Sequence, residues 1–169
     1  MELRKIKRLQ NNLVVIIGIT LMALGLYSCH QGEVYTQFAE IKSAEWDRDE
    51  TFYFEVDSSS FEINRPYDIT IELTNNINYP YRNIWLYVTH NLNDTIKDTH
   101  TQIEYLLADE EGRWYGGGFG SLYQTSLTFK KNYRFTEKRN YVFGISHNMV
   151  DNPLKGIERI GVNITKIEN

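Results

Sequence analysis

The fold class this sequence predicts is all-β: an antiparallel two-sheet sandwich, Ig-like or jelly-roll-like in general architecture, following an N-terminal lipoprotein signal peptide. Three observations predict it. From residue 52 onward, apolar residues recur at every second position in short blocks, the period of a half-buried strand. Asp, Asn, Ser, Gly and Pro separate those blocks at short intervals, as sandwich strands require and βαβ units do not. No stretch after Cys29 carries an amphipathic helical stripe of useful length. A closed barrel satisfies the same pattern and is the alternative architecture.

In chain order, a basic Arg4-Lys5-Ile6-Lys7-Arg8 leads into the apolar Leu13 to Leu26 and then Tyr27-Ser28-Cys29. That apolar run suits a signal h-region better than a bilayer span, which needs about 20 residues. Ser28 supplies the small residue before a cut, although Tyr27 is bulkier than the residue usual there. Residues 1–28 therefore read as a lipoprotein signal peptide and Cys29 as the lipidated N-terminus, with an uncleaved anchor as the competing reading. Several acyl chains on Cys29 exceed the marginal membrane binding of a single one. Cys29 is also the chain's only cysteine, so the fold has packing and no disulfide to hold it.

Residues 29–34 read as a short polar tether, and 35–169 as one β-sandwich domain. Phe52, Phe54 and Val56 alternate with Tyr53 and Glu55 before the Asp57-Ser58-Ser59-Ser60 turn. Ile69, Ile71 and Leu73 alternate with polar residues up to Asn75-Asn76. Ile84, Leu86 and Val88 interleave with Trp85 and Tyr87, apolar or aromatic on both faces, which predicts a central or partner-facing strand. Pro80 precedes it, where it breaks no ladder. Ile103, Tyr105 and Leu107 come next, and Asp109-Glu110-Glu111-Gly112 reads as a polar turn. The blocks at Tyr123 to Phe129, Tyr141 to Ile145 and Ile160 to Ile164 bring the expectation to about eight strands. Asn148 to Ile157 is the one place where a short helical turn is expected, between Asn152-Pro153 and Gly156.

Charge and motif spacing exclude several functions. Removing residues 1–28 takes away Arg4, Lys5, Lys7, Arg8 and Glu2 and moves the net charge from −4 to −7. Such a surface repels phosphate backbones, so no nucleic-acid partner is expected. The glycine run from Gly112 to Gly120 lacks the Lys-Ser or Lys-Thr of a phosphate-binding loop and leads into a strand, not a helix. It reads as a structural loop that needs positive φ and close backbone approach. His90, His100 and His147 show no metal-ligand spacing, and Asn91, Asn93, Asp94 and Asp98 lack the glycine and distal glutamate of a calcium loop. Asp109, Glu110 and Glu111 are adjacent in a turn and do not flank a substrate bond. No Gly-x-Ser-x-Gly elbow or free thiol supplies a nucleophile. The expectation is a protein that is not an enzyme, with no metal and no cofactor.

Aromatic residues are the class in excess, at 14% of the chain. Most serve a core, and the remainder suit a protein interface or a sugar-stacking platform. The candidate partner-contact residues are Tyr81, Arg82, Trp85, Arg113, Trp114, Tyr115 and Phe119, around Pro80 and the glycine run.

Several segments together resemble one family. They are the lipobox ending at Cys29, Tyr79-Pro80-Tyr81-Arg82-Asn83-Ile84-Trp85-Leu86, Leu107 to Trp114 followed by Gly118 to Gln124, and Leu154-Lys155-Gly156-Ile157 with Gly161-Val162. This pattern, from Cys29 to about Lys166, resembles the GldH gliding-motility lipoproteins of Bacteroidetes. The resemblance implies an outer-membrane lipoprotein that is an accessory or scaffolding component of the gliding motility and type IX secretion machinery, with envelope proteins as partners. It implies no enzymatic activity, and members also occur in species that do not glide. Surface-exported lipoproteins of that phylum carry an acidic run after the cysteine; here only Glu33 lies close, which implies a periplasm-facing position. Asp94-Thr95-Ile96 resembles the phylum's O-glycosylation sequon, with Thr95 as the acceptor. The alternative function is a glycan-binding lipoprotein of a polysaccharide uptake system.

Overall fold

The computed structural model describes residues 32–92 and 99–168. Cys29, the expected signal peptide and the Asp94-Thr95-Ile96 triplet lie outside the described residues. The strands are β1 (Glu33–Glu40), β2 (Glu45–Trp46), β3 (Phe52–Val56), β4 (Pro66–Asn76), β5 (Asn83–His90), β6 (Thr99–Leu106), β7 (Gly117–Phe119), β8 (Leu122–Arg134), β9 (Tyr141–His147), β10 (Leu154–Lys155) and β11 (Ile157–Lys166). All pairings are antiparallel. A five-stranded sheet has the order β1-β11-β4-β8-β7, a four-stranded sheet the order β3-β9-β5-β6, and β10 pairs with β2 as a short ribbon.

The alternation read from the sequence becomes two inner faces. Ile69, Ile71 and Leu73 of β4, with Ile160, Val162 and Ile164 of β11, are buried on one sheet; Ile84, Leu86 and Val88 of β5, with Tyr141, Phe143 and Ile145 of β9, are buried on the other. Burying each such side chain contributes about 1.5–3 kcal/mol, the stabilisation available to a domain with no disulfide. Aromatic rings fill one end of the core: Phe61 stacks on Phe135 at 4.2 Å, and Tyr67 and Tyr141 pack against Phe135 at 5.6 and 4.9 Å. β5 is central in its sheet, between β9 and β6, as its two apolar faces predict.

The sheets do not close into a barrel. β6 ends one sheet, and β8 is flanked on its outer side only by three-residue β7. Where these borders meet, the Tyr105 hydroxyl donates to the Thr128 carbonyl at 2.8 Å, a side chain substituting for a ladder. Further along, Lys130 and Lys131 and the irregular pairing around Ile69 discourage edge-to-edge association of β8.

Three segments differ from expectation. β1 opens at Glu33, so the strand begins within the stretch read as tether. The helical turn expected between Asn148 and Ile157 does not form. Its backbone groups have long-range partners instead: Asn148 N–H donates to Trp85 O at 2.8 Å, and the Arg48 guanidinium donates to the carbonyls of Met149 and Val150. The glycine run is an edge strand, not only a loop. A Cβ at Gly116, just before that strand, would lie 2.4 Å from Gln124 O, and one at Gly118 within it 2.9 Å from the Tyr123 ring, so glycine lets the segment approach β8.

Candidate interaction surface

Strand register gives the sandwich two ends. Gly32 sits beside Lys166, whose N–H donates to the Gly32 carbonyl, and the neighbouring strands there begin at Pro66 and end at Arg134. The opposite end carries Asn76, Leu122 and Ile157, and from it project the β4–β5, β6–β7, β7–β8 and β9–β10 connections. β4, eleven residues long, separates the ends by roughly 35 Å at the usual rise of a strand.

Side chains order these connections. The Asp109 carboxylate accepts the N–H groups of Glu111 and Arg113 at 3.0 and 2.8 Å and the Arg113 Nε–H at 2.7 Å. The backbone donation from Arg113, with the other hydrogen bonds, holds the Asp109 carboxyl below the usual carboxylate range. This carboxylate thus builds a turn. The turn brings Trp114 opposite Ala108 and lets Tyr115 N–H donate to Leu107 O at 2.8 Å. Leu107 and Ala108 N–H groups both donate to Arg82 O, which ties the β4–β5 connection to the same unit.

Tyr79 joins the aromatic members. Its hydroxyl donates to Asn83 O at 2.8 Å, and its ring lies 5.9 Å from Tyr81 and 6.3 Å from Trp114, which in turn lies 5.7 Å from Tyr123. Burial pushes the Tyr79 hydroxyl pKa well up, so it remains a donor at physiological pH. The neighbouring Asp151 carboxylate raises the Tyr81 hydroxyl pKa and sets the β9–β10 connection beside the cluster.

The structure therefore brings Tyr81, Arg82, Arg113, Trp114 and Tyr115 together. Trp85 stands apart, half-buried on β5, and Phe119 belongs to β7 on the other sheet. Trp114 is half-buried against Tyr79 and Tyr123, while Tyr115 and Phe119 are exposed, Phe119 at 92%. Sequence reading missed four further exposed apolar residues at this end: Ile77 at 60%, Leu106 at 55%, Val150 at 88% and Leu122. Ile77 alone carried a signal, a single apolar residue between Asn76 and Asn78 in a polar turn. Among the described residues no group of His, Cys, Asp and Glu could hold a metal ion, and no helix is long and apolar enough to cross a membrane.

Residues 33–164 match the model of a protein family described as GldH lipoprotein. A protein of Christiangramia forsetii, a gliding motility lipoprotein GldH homolog, is 31% identical over 84% of this chain and 89% of its own. The gliding motility lipoprotein GldH of Flavobacterium johnsoniae is 29% identical over 72% of this chain and 74% of its own. Among solved structures, Eiger TNF from S. frugiperda aligns with 82% of this chain and 95% of its own at 7% identity and a TM-score of 0.34.

Proposed function

The chain belongs to the GldH lipoprotein family, and from that premise we propose that it is an accessory or scaffolding component of the gliding motility and type IX secretion machinery. By name this is a family of lipoproteins and not of enzymes. In this reading Cys29 carries the lipid, the protein is held at the outer membrane facing the periplasm, and the loop end docks an envelope protein.

The observation that carries the reading is the concentration of exposed apolar side chains at that end. Ile77, Tyr115, Phe119, Leu122 and Val150 all lie in or beside its connections, and exposed apolar side chains gathered at one end of a domain suit a partner-facing role. Three residues from Cys29 to Gly32 reach at most about 11 Å. A lipid on Cys29 therefore keeps the Gly32 end near the bilayer and leaves the opposite end to meet partners in the periplasm.

The test is crosslinking in intact cells of the native host, followed by purification through a C-terminal tag and identification of what co-purifies. Gliding and type IX secretion components should be enriched over a Cys29→Ala control and lost in a Tyr115→Ser/Val150→Ser double variant. Recovery of TonB-dependent sugar porins in their place, or the same partners with the double variant, would overturn the reading.

A further inference from the structure

The outward face of the five-stranded sheet holds a second built site. Register sets Arg159 of β11, Thr74 of β4, Gln124 of β8 and Gly117 of β7 side by side across four strands, a row of roughly 14 Å at the usual strand spacing. These residues, with Phe119 and Leu122, line a groove of about 220 Å3. Sequence alternation assigns this face to solvent, yet Thr74 is only 2% exposed and its Oγ1 has no hydrogen-bond partner. A buried hydroxyl carries one donor and two acceptor positions, and native interiors seldom leave all of them unmatched.

The surrounding charge selects the ligand. Glu72, two residues from Thr74 and 5% exposed, receives hydrogen bonds from the Thr70 and Ser126 hydroxyls at 2.8 Å and from Gln124 Nε2 at 3.3 Å, all neutral donors. Arg159 lies 5.1 Å over the Phe38 ring, with its Nε 3.9 Å from Glu40. Arg159, the charged member of the groove lining, is offset by Glu40, so the groove presents little net charge to either an anion or a cation. An uncharged ligand rich in hydroxyls suits this balance and pairs with hydroxyl, amide and guanidinium groups alike.

We propose that this groove binds a neutral glycan, with one sugar ring lying on the exposed Phe119 and its hydroxyls hydrogen-bonded to Gln124 and Arg159 above the Thr74 side chain. The volume is below the roughly 300–1,000 Å3 of sites for drug-sized ligands, which suits a single ring with the rest of the chain following the row toward solvent. The site goes beyond the protein-docking reading and shares only Phe119 and Leu122 with that end.

Isothermal titration of the purified protein with cellohexaose, xylohexaose and mannohexaose, and with 3′-sialyllactose as an acidic probe, tests it. At least one neutral hexasaccharide should bind with a sub-millimolar Kd and the acidic probe more weakly. Phe119→Ala removes the platform, and Gly117→Leu fills the groove at a position with no atom within 4 Å of an added Cβ. Each should weaken binding by about tenfold or more without lowering the melting temperature. No binding by any neutral probe at millimolar concentration, binding retained in both variants, or preference for the acidic probe would overturn the proposal.

Discussion

Replacing Gly156 with alanine should destabilise the domain out of proportion to the single methyl added. Gly156 has φ of +90°, where a side chain is strained, and holding a non-glycine residue there costs about 1–3 kcal/mol. The added Cβ would lie 2.6 Å from both Tyr79 N and Tyr79 Cα, backbone atoms that no rotamer change can move aside. Nor can Gly156 withdraw freely: its N–H donates to Ala44 O at 2.8 Å and its carbonyl accepts Asn76 N–H at 2.9 Å. Relieving the clash means losing one of these bonds, a further cost of about 1 kcal/mol or more. The expected loss is thus about 3 kcal/mol, a large share of the 5–15 kcal/mol typical of a domain. Urea unfolding followed by tryptophan fluorescence should show it, with a thermal midpoint lowered by roughly 6–12 °C. Gly117→Ala is the matched control, since φ there is not left-handed and the space is open; it should change stability by no more than about 0.5 kcal/mol. An equal, small effect of both substitutions would refute the claim that the Tyr79 loop is rigidly seated on Gly156.

Stability should also fall in mild acid. His147 is fully buried, with Nε2 3.1 Å from Trp46 O and Nδ1 accepting Met149 N–H at 3.2 Å, an arrangement that only the neutral ring satisfies. Burial lowers its pKa below the ordinary 6.5. Above pH 6.5 its contribution is therefore complete; as pH falls from there toward the lowered native value, the unfolded chain takes up a proton the folded one refuses, and stability declines by up to about 1.4 kcal/mol per pH unit. His90, lowered by burial as well, adds to the slope, so urea midpoints between pH 7.5 and 5.5 should fall in the wild type and less steeply in His147→Gln; flat midpoints would contradict this. Trp46→Ala should cost about 3–5 kcal/mol, because the ring is fully buried against Phe52 and His147, whereas Phe119→Ala should stay within about 0.5 kcal/mol. Chemical denaturation separates the two, and a comparable loss from Phe119→Ala would mean that its ring packs into the fold.

The parts of this fold that were legible in the sequence are those whose side chains meet one environment per face. Ile69, Ile71 and Leu73 alternate because one side of β4 faces the core, and the same holds for Ile84, Leu86 and Val88 of β5. β1 was not legible as a strand because it is an edge: Phe38 packs on the outer side of Gly161, so its apolar residues do not share one face. β7 was hidden because a run of glycines signals freedom, while the constraint demanding them, the carbonyl of Gln124 and the ring of Tyr123, lies in the next strand. The two sites divide in the same way. Trp114, Tyr115 and Phe119 announce the loop end by residue type. Thr74, Gln124 and Arg159 are ordinary polar residues on a face that alternation assigns to water. The Phe38 ring lies against Gly161 with Arg159 over it, and a groove assembled by register across four strands has no signature within any one of them.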